Sequence, residues 1–209
     1  MRAMTEVGLV FFPAFDWALT PDHPEREERL LYTRDQILEE GLFDLPQIKE
    51  FRPEVAAPPE IARAQICVPS VERVASKPHL IAAGGTITAG KLVVEGITRR
   101  AFALLRPPGH HAMRIVHGAR GFCTINNEAV MIEYLRKVKK GKLRVAVVDT
   151  DAHHADGTQD IYYNDPDVLH ISIHQDGRTL YPGSGFVDEL GGPAAYGLTL
   201  NVQIGRAHV

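Results

Sequence analysis

Two cysteines in 209 residues, Cys67 and Cys123, are too few for a disulfide framework, and they set a reducing compartment as the expectation. No apolar run approaches the ~20 residues of a membrane-spanning helix. The N-terminus also lacks a basic stretch followed by a long apolar one, so neither a span nor a secretory leader is expected. A net charge of −3 leaves no basic footprint for direct nucleic-acid contact. The one dense basic patch, Arg136, Lys137, Lys139, Lys140 and Lys142, reads as the solvated end of a helix, where cations suit the dipole. Internal repeats and low-complexity segments are absent, and nothing sets an oligomeric state. What remains is a chain long enough for one domain with a substantial core, most simply a cytoplasmic enzyme.

The apolar pattern gives a short buried strand at residues 8–12 and further strands at 101–106, 144–150, 167–174 and 198–203. A helix is expected to open at Asp22-His-Pro-Glu-Arg26, with Asp22 as cap, Pro24 in the first turn, and Glu25, Glu27 and Glu28 at the positive dipole end. Leu30, Leu31, Ile37 and Leu38 form its apolar stripe and Gly41 marks its end. Residues 44–60 hold Pro46, Pro53, Pro58 and Pro59 and read as a loop-rich crossing. Helical periodicity returns at 79–96, where Gly84, Gly85 and Gly90 permit close packing, and again at 126–138. Near-continuous apolar strands separated by helices indicate an α/β fold with a mostly parallel sheet covered on both faces.

The chemistry concentrates in three loops. The run Val145-Ala-Val-Val-Asp-Thr-Asp-Ala-His-His-Ala-Asp-Gly157 is an apolar strand ending on Asp149, Asp151 and His153. Alternate positions of an extended chain face one way, so this spacing aims two carboxylates and an imidazole at one point, and it reads as a metal site. Open α/β sheets place their sites at such carboxyl ends. Arg106-Pro-Pro-Gly-His-His-Ala112 is a rigid turn presenting adjacent imidazoles, and Gly121-Phe-Cys-Thr-Ile-Asn-Asn127 sets an aromatic just before a helix. Several other residues read as structural: His154 points away from its neighbours, His170 and His174 sit on a strand, Cys123 is a small buried hydrophobe, and His23 and Arg26 belong to the opening of the first helix. Phe15 and Trp17 fit either a substrate rim or ordinary packing.

These three motifs, in the chain order Arg106–Ala112, Gly121–Asn127 and Asp149–Gly157, resemble the zinc-dependent histone deacetylase family, which includes acetoin-utilisation proteins and acetylpolyamine amidohydrolases. His23-Pro-Glu-Arg26 and Tyr181-Pro-Gly-Ser-Gly185 extend the resemblance from about Gly8 to Gln203. It implies a three-layer arginase–deacetylase fold with a central, mostly parallel sheet. Residues 1–203 would then be the N-terminal portion of a catalytic domain. Ile204-Gly-Arg-Ala-His-Val209 matches the translation of a common sequencing-adapter sequence, so 204–209 is expected to be a non-native tail and His208 to carry no function.

The resemblance assigns Asp151 and His153 as two of three zinc ligands. It makes His111 the general base and His110 its electrostatic partner, with Asp149 orienting His110 and Asp156 orienting His111. It places Gly121 and Phe122 in the wall of an acyl-lysine tunnel, opposite Tyr181. Asp149, Asp151, His153 and Ser172 resemble a monovalent-cation site, potassium in the family. The third zinc ligand and a transition-state tyrosine lie in later loops of the family, so this portion alone is expected to be inactive. Ala155 stands where the family usually has glycine, a change that matters only if the backbone there needs positive φ.

The implied activity is hydrolysis of an acetyl or other acyl amide, with acetylated lysine or an acetylated small amine as substrate. An Asp/His set does not separate zinc from ferrous iron. An acetylpolyamine amidohydrolase and a non-catalytic acyl-lysine-binding module on the same scaffold are the alternatives. A ureohydrolase of the arginase type shares the fold but needs a second bridging carboxylate where Ala155 stands.

Overall fold

The computed structural model describes residues 5–13, 23–139 and 143–205, so Phe15, Trp17, Asp22, Lys140, Lys142 and His208 lie outside the described residues. Strand β1, Thr5–Phe11, is the centre of a three-stranded parallel sheet. It pairs with β2, Ile48–Phe51, on one side and β4, Thr98–Leu104, on the other, with β3 the later-described Ile66–Cys67. A second three-stranded parallel sheet has β7, Val168–His174, between β6, Val145–Asp149, and β8, Thr199–Gln203. The two-residue strands β3 and β5, Ile115–Val116, form a small separate ladder that pins the loop carrying the paired histidines.

Strand β2 lies inside the proline-rich crossing expected to be a loop. Its four residues include Lys49 and Glu50, so periodicity alone does not reveal it. The register Val7↔Ile48 to Val10↔Phe51 shows that pairing with buried β1 creates it.

The first helix, α1, is Glu28–Glu39 and starts later than the expected opening at Asp22. Residues 23–27 instead wrap the fully buried Arg106: its Nε donates to Glu25 Oε1 at 3.0 Å and its guanidinium to the Glu25 carbonyl at 2.8 Å. Glu27 adds a carboxylate at 3.7 Å. A buried guanidinium must be paired, and this need overrides the local capping signal. Leu30 is buried on α1 and Ile37 packs beside it, whereas Leu38 faces out. Gly41 ends the segment at φ 69°, as expected.

Helices α2, Pro58–Ala64, and α3, Val71–Val74, are short. The long α4, Lys77–Val94, is apolar nearly all round because it is covered on several sides. It lies against β1 and β4 and also against α5, Asn127–Lys139, which in turn meets α2 and α6, Asp156–Tyr162. Ile61, Ile87, Ile125, Val130, Ile132 and Val168 join these elements in the main core. At the end of α5, Lys137 and Lys139 are solvated as expected. Arg136 is not, since it grips Asp165 through two hydrogen bonds of 2.6 and 3.0 Å.

Among the described residues β4 and β6 do not pair. Each is therefore an edge strand, and their apolar residues Phe102 and Val148 are 52% and 55% exposed. Between the carboxyl ends of the two strands lies a cleft of about 280 Å³, with Ala103 and Leu105 on one side and Asp149 and Asp151 on the other. Among the described residues no helix is long and apolar enough to cross a membrane.

Gly84 is the point where α4 comes closest to the crossing segment, and a Cβ there would overlap the backbone of Glu54 and Ala56. Backbone cannot yield as a side-chain tip can, so Gly84→Ala is expected to lower stability by roughly 1–3 kcal/mol. Chemical denaturation followed by circular dichroism checks this, and an unchanged midpoint would contradict the packing described.

Candidate active site

The site is assembled at the carboxyl ends of β4 and β6. Asp149 is the last residue of β6, but the chain beyond it is bent rather than extended. Asp149 Oδ1 accepts the backbone N–H of Asp151 at 2.9 Å, and Asp151 Oδ1 accepts that of His153 at 2.8 Å. Two successive aspartate turns of this kind, rather than strand alternation, bring Asp151 and His153 to the same cleft. The expected convergence is met for these two only, and for a different physical reason; Asp149 does not line that cleft and turns to His110 instead. Asp151 Oδ1 also lies 2.9 Å from His153 Nδ1.

The paired histidines face the same cleft. His110 Nδ1 is 3.0 Å from Asp149 Oδ2, and His111 Nδ1 is 2.7 Å from Asp156 Oδ1. An ionised carboxylate only accepts, so each Nδ1 carries the proton and each Nε2 is left as the basic nitrogen. The two rings are 4.0 Å apart between centroids. Burial works against the charged form of His110, but the hydrogen bond and charge of Asp149, aided by Asp151 and Glu128, outweigh it and raise its pKa. Burial likewise opposes ionisation of Asp149 and Asp156. Their pKa values are nevertheless lowered, by His110 in the first case and by His111 and Arg120 in the second.

Gly121 and Phe122 have φ of 52° and 67°. A Cβ at Gly121 would overlap the His111 ring, so only glycine fits there. Phe122 is not core: its ring is turned outward, with the His23 ring edge-on at 4.4 Å. Tyr181 stands 5.0 Å from the His111 ring and 6.3 Å from that of His153. With Pro24, Glu25, Arg29 and Pro108 these residues enclose a cleft of about 800 Å³ that also contains His110, Asp151 and His153.

Ala155 has φ −76°, so its methyl group is accommodated without strain. Ser172 is fully buried opposite Asp149 in the β6–β7 register. Its Oγ lies 3.3 Å from the backbone N of Ala155 and 2.8 Å from His174 Nδ1. His154 points away from the cleft as expected, held by Ser184 at 2.9 Å and Gln159 at 3.0 Å. Cys123 is fully buried, which pushes its thiol pKa up.

Sequence reading did not find Arg120. Its guanidinium bonds Asp156 Oδ2 and lies 5.7 Å from the centre of the Tyr181 ring. The only signal was its place just before Gly121, since a separation of 36 residues from Asp156 carries no periodicity.

As to a metal, Asp151 and His153 are donors of the right chemistry facing one cleft. Among the described residues, however, no group of three His, Cys, Asp or Glu is placed to hold an ion. A catalytic zinc takes three protein ligands, so the described residues supply only part of such a set.

The chain is similar to known proteins over most of its length. The histone deacetylase domain profile matches residues 65–208. A probable deacetylase of Archaeoglobus fulgidus is 41% identical over 216 residues, covering 94% of this chain and 58% of its own length. The acetoin utilization protein AcuC of Bacillus subtilis is 44% identical over 121 residues, covering 58% of this chain and 30% of its own. The crystal structure of the HDA15 HD domain superposes with a TM-score of 0.82 at 28% identity, over 96% of this chain and 62% of that one. The chain thus spans less than two thirds of the length of these relatives.

Beneath the site, neither ring nitrogen of buried His170 has a hydrogen-bond partner among the described residues, and burial lowers its pKa to about 4. His79 is likewise lowered to about 4 by burial. An unfolded chain takes up these protons near pH 6.5 and the folded one does not, so stability falls as pH drops from about 6.5 to about 4. Asp149 and Asp156, whose folded pKa values are depressed, lose their contribution as pH falls further. His110 acts oppositely: its stabilising effect is present below about 6.5 and is lost as pH rises through its raised pKa. Urea midpoints between pH 7 and pH 4.5 are expected to decline less steeply in His170→Leu than in the unaltered protein; equal slopes would contradict this reading of His170.

Proposed function

The chain belongs to the histone deacetylase family, and on that premise we propose that the protein containing it is a zinc-dependent amidohydrolase. Its substrates are acetylated lysine side chains or related acetylated amines. The observation that carries this reading is the pair of Nδ1-anchored imidazoles, His110 and His111, facing the same cleft as Asp151 and His153. Asp151 and His153 would hold the zinc together with a donor from outside the described residues. The ion, when bound, supplies Lewis-acid polarisation of the amide carbonyl and of water.

The chain's own groups account for proton handling and substrate position. His111, with Nδ1 committed to Asp156, has Nε2 available to take a proton from water and return it to the leaving amine. His110, held by Asp149, adds a second imidazole beside it. Its raised pKa favours a cation that balances charge near the reacting carbonyl. Phe122 and Tyr181 offer two aromatic faces that suit the methylene chain of a lysine-like amine. We also assign a monovalent cation, potassium in the family, to the turn formed by Asp149, Asp151 and His153 above Ser172.

The test is hydrolysis of a fluorogenic acetyl-lysine peptide by the full-length protein, with and without zinc, beside His111→Ala. Metal-dependent turnover that falls by about 10²–10⁴ in the variant is expected. Zinc bound without peptide turnover would move the assignment to small acetylated amines. A protein that binds no metal at all would instead be an acyl-lysine-binding module.

A further inference from the structure

We propose that Arg120 is a positioning residue for the His111 imidazole: it fixes the far oxygen of Asp156 and seals the back of the His111–Asp156 pair. The inference rests on the reading of His111 as the base, and its tests are chosen to be judged apart from turnover.

The two histidine–aspartate pairs look alike from the cleft but are held differently behind. The second oxygen of Asp149 accepts a backbone N–H, that of Asp151, at 2.9 Å. The second oxygen of Asp156 accepts from the guanidinium of Arg120. A neutral amide backs one pair and a full positive charge backs the other. Charge-assisted bonds to carboxylate are roughly twice as strong as neutral ones. Asp156 therefore has both oxygens committed, and its carboxylate cannot rotate away from His111 without breaking the stronger bond.

A second cavity explains why this position needs a seal. A pocket of about 430 Å³ lies on the side of Asp156 away from the active-site cleft, and both Asp156 and Arg120 line it with His154 and Gln159. His111 lines the cleft and not this pocket. The pair thus sits in the partition between two open spaces. Arg120 is 39% exposed and stands at the water boundary, whereas Asp156 is 6% exposed behind it. Its placement is fixed from both sides. Backbone bonds between Arg120 and Cys123, at 2.8 and 2.9 Å, lock the turn from which the side chain emerges. The Tyr181 ring receives the guanidinium on the far side. One side chain thereby ties the carboxylate behind the base to the aromatic wall in front of it.

The test compares Arg120→Gln and Arg120→Lys with the unaltered full-length protein. The first readout is the downfield proton resonance of His111 Nδ1, assigned by its loss in His111→Ala and followed without metal or substrate. Faster solvent exchange in Arg120→Gln, with partial protection restored by Arg120→Lys, is expected. The second is steady-state hydrolysis of the acetyl-lysine peptide. There kcat should fall on the order of 10–100-fold in Arg120→Gln, more than KM changes, and recover in part in Arg120→Lys. Unaltered exchange in Arg120→Gln overturns the proposal whatever the activity. Should that variant fail to fold, the unaltered protein decides the matter: resolved, slowly rotating Arg120 Nη protons support a clamped guanidinium, and a freely averaged signal overturns it. A protein that hydrolyses neither the acetyl-lysine peptide nor small acetylated amines but shows the exchange difference would sink the functional reading while leaving Arg120 in its positioning role.

Discussion

The hydrogen bond from His110 Nδ1 to Asp149 crosses from the loop that follows one parallel sheet to the end of a strand in the other. Its neighbour, from His111 to Asp156, ties the same loop to the first residue of α6. Because β4 and β6 do not pair among the described residues, these bonds are among those that join the two halves of the molecule near the site, with Thr158 N to the His110 carbonyl at 3.1 Å and Arg114 N to Asp160 at 2.9 Å. The pairing that sets the histidine tautomers is therefore also an architectural tie. Removing either carboxylate would leave a buried imidazole unpaired and would loosen the seam on which the cleft is built.

The same seam explains the unusual polarity of the interior. His170, Ser172 and His174 occupy the buried face of β7, and Thr199 and Asn201 occupy the matching face of β8. A purely apolar layer there would bury more hydrophobic area, but it could not bond the turns that carry Asp151, His153 and His154. Ser172 and Gln159 bond this loop and helix from below. The sheet thus gives up some hydrophobic stabilisation to hold an irregular loop in one conformation.

Much of this was legible in the sequence. The long apolar strands, helices α4 and α5 and the three loops were readable because each rests on local periodicity or on a motif whose residues are neighbours in the chain. Residues whose state is fixed by distant partners were less legible. Strand β2 exists because β1 lies beside it, and α1 starts at Glu28 because Arg106, 81 residues from Glu25, needs a carboxylate. Arg120 belongs to the same class. Asp151 and His153 are the instructive case: alternation placed them on one side, yet two aspartate turns do the placing. A pattern can be right about position while silent about mechanism.

The exposed flanks of β4 and β6 have a consequence of a different kind. Among the described residues each is a strand edge without a neighbouring strand, beside an exposed apolar side chain, Phe102 on one and Val148 on the other. Such edges pair readily with any extended chain that meets them. Pairing between molecules is second order in protein, whereas closing the fold is first order. Dilution therefore disfavours such pairing relative to closure of the fold.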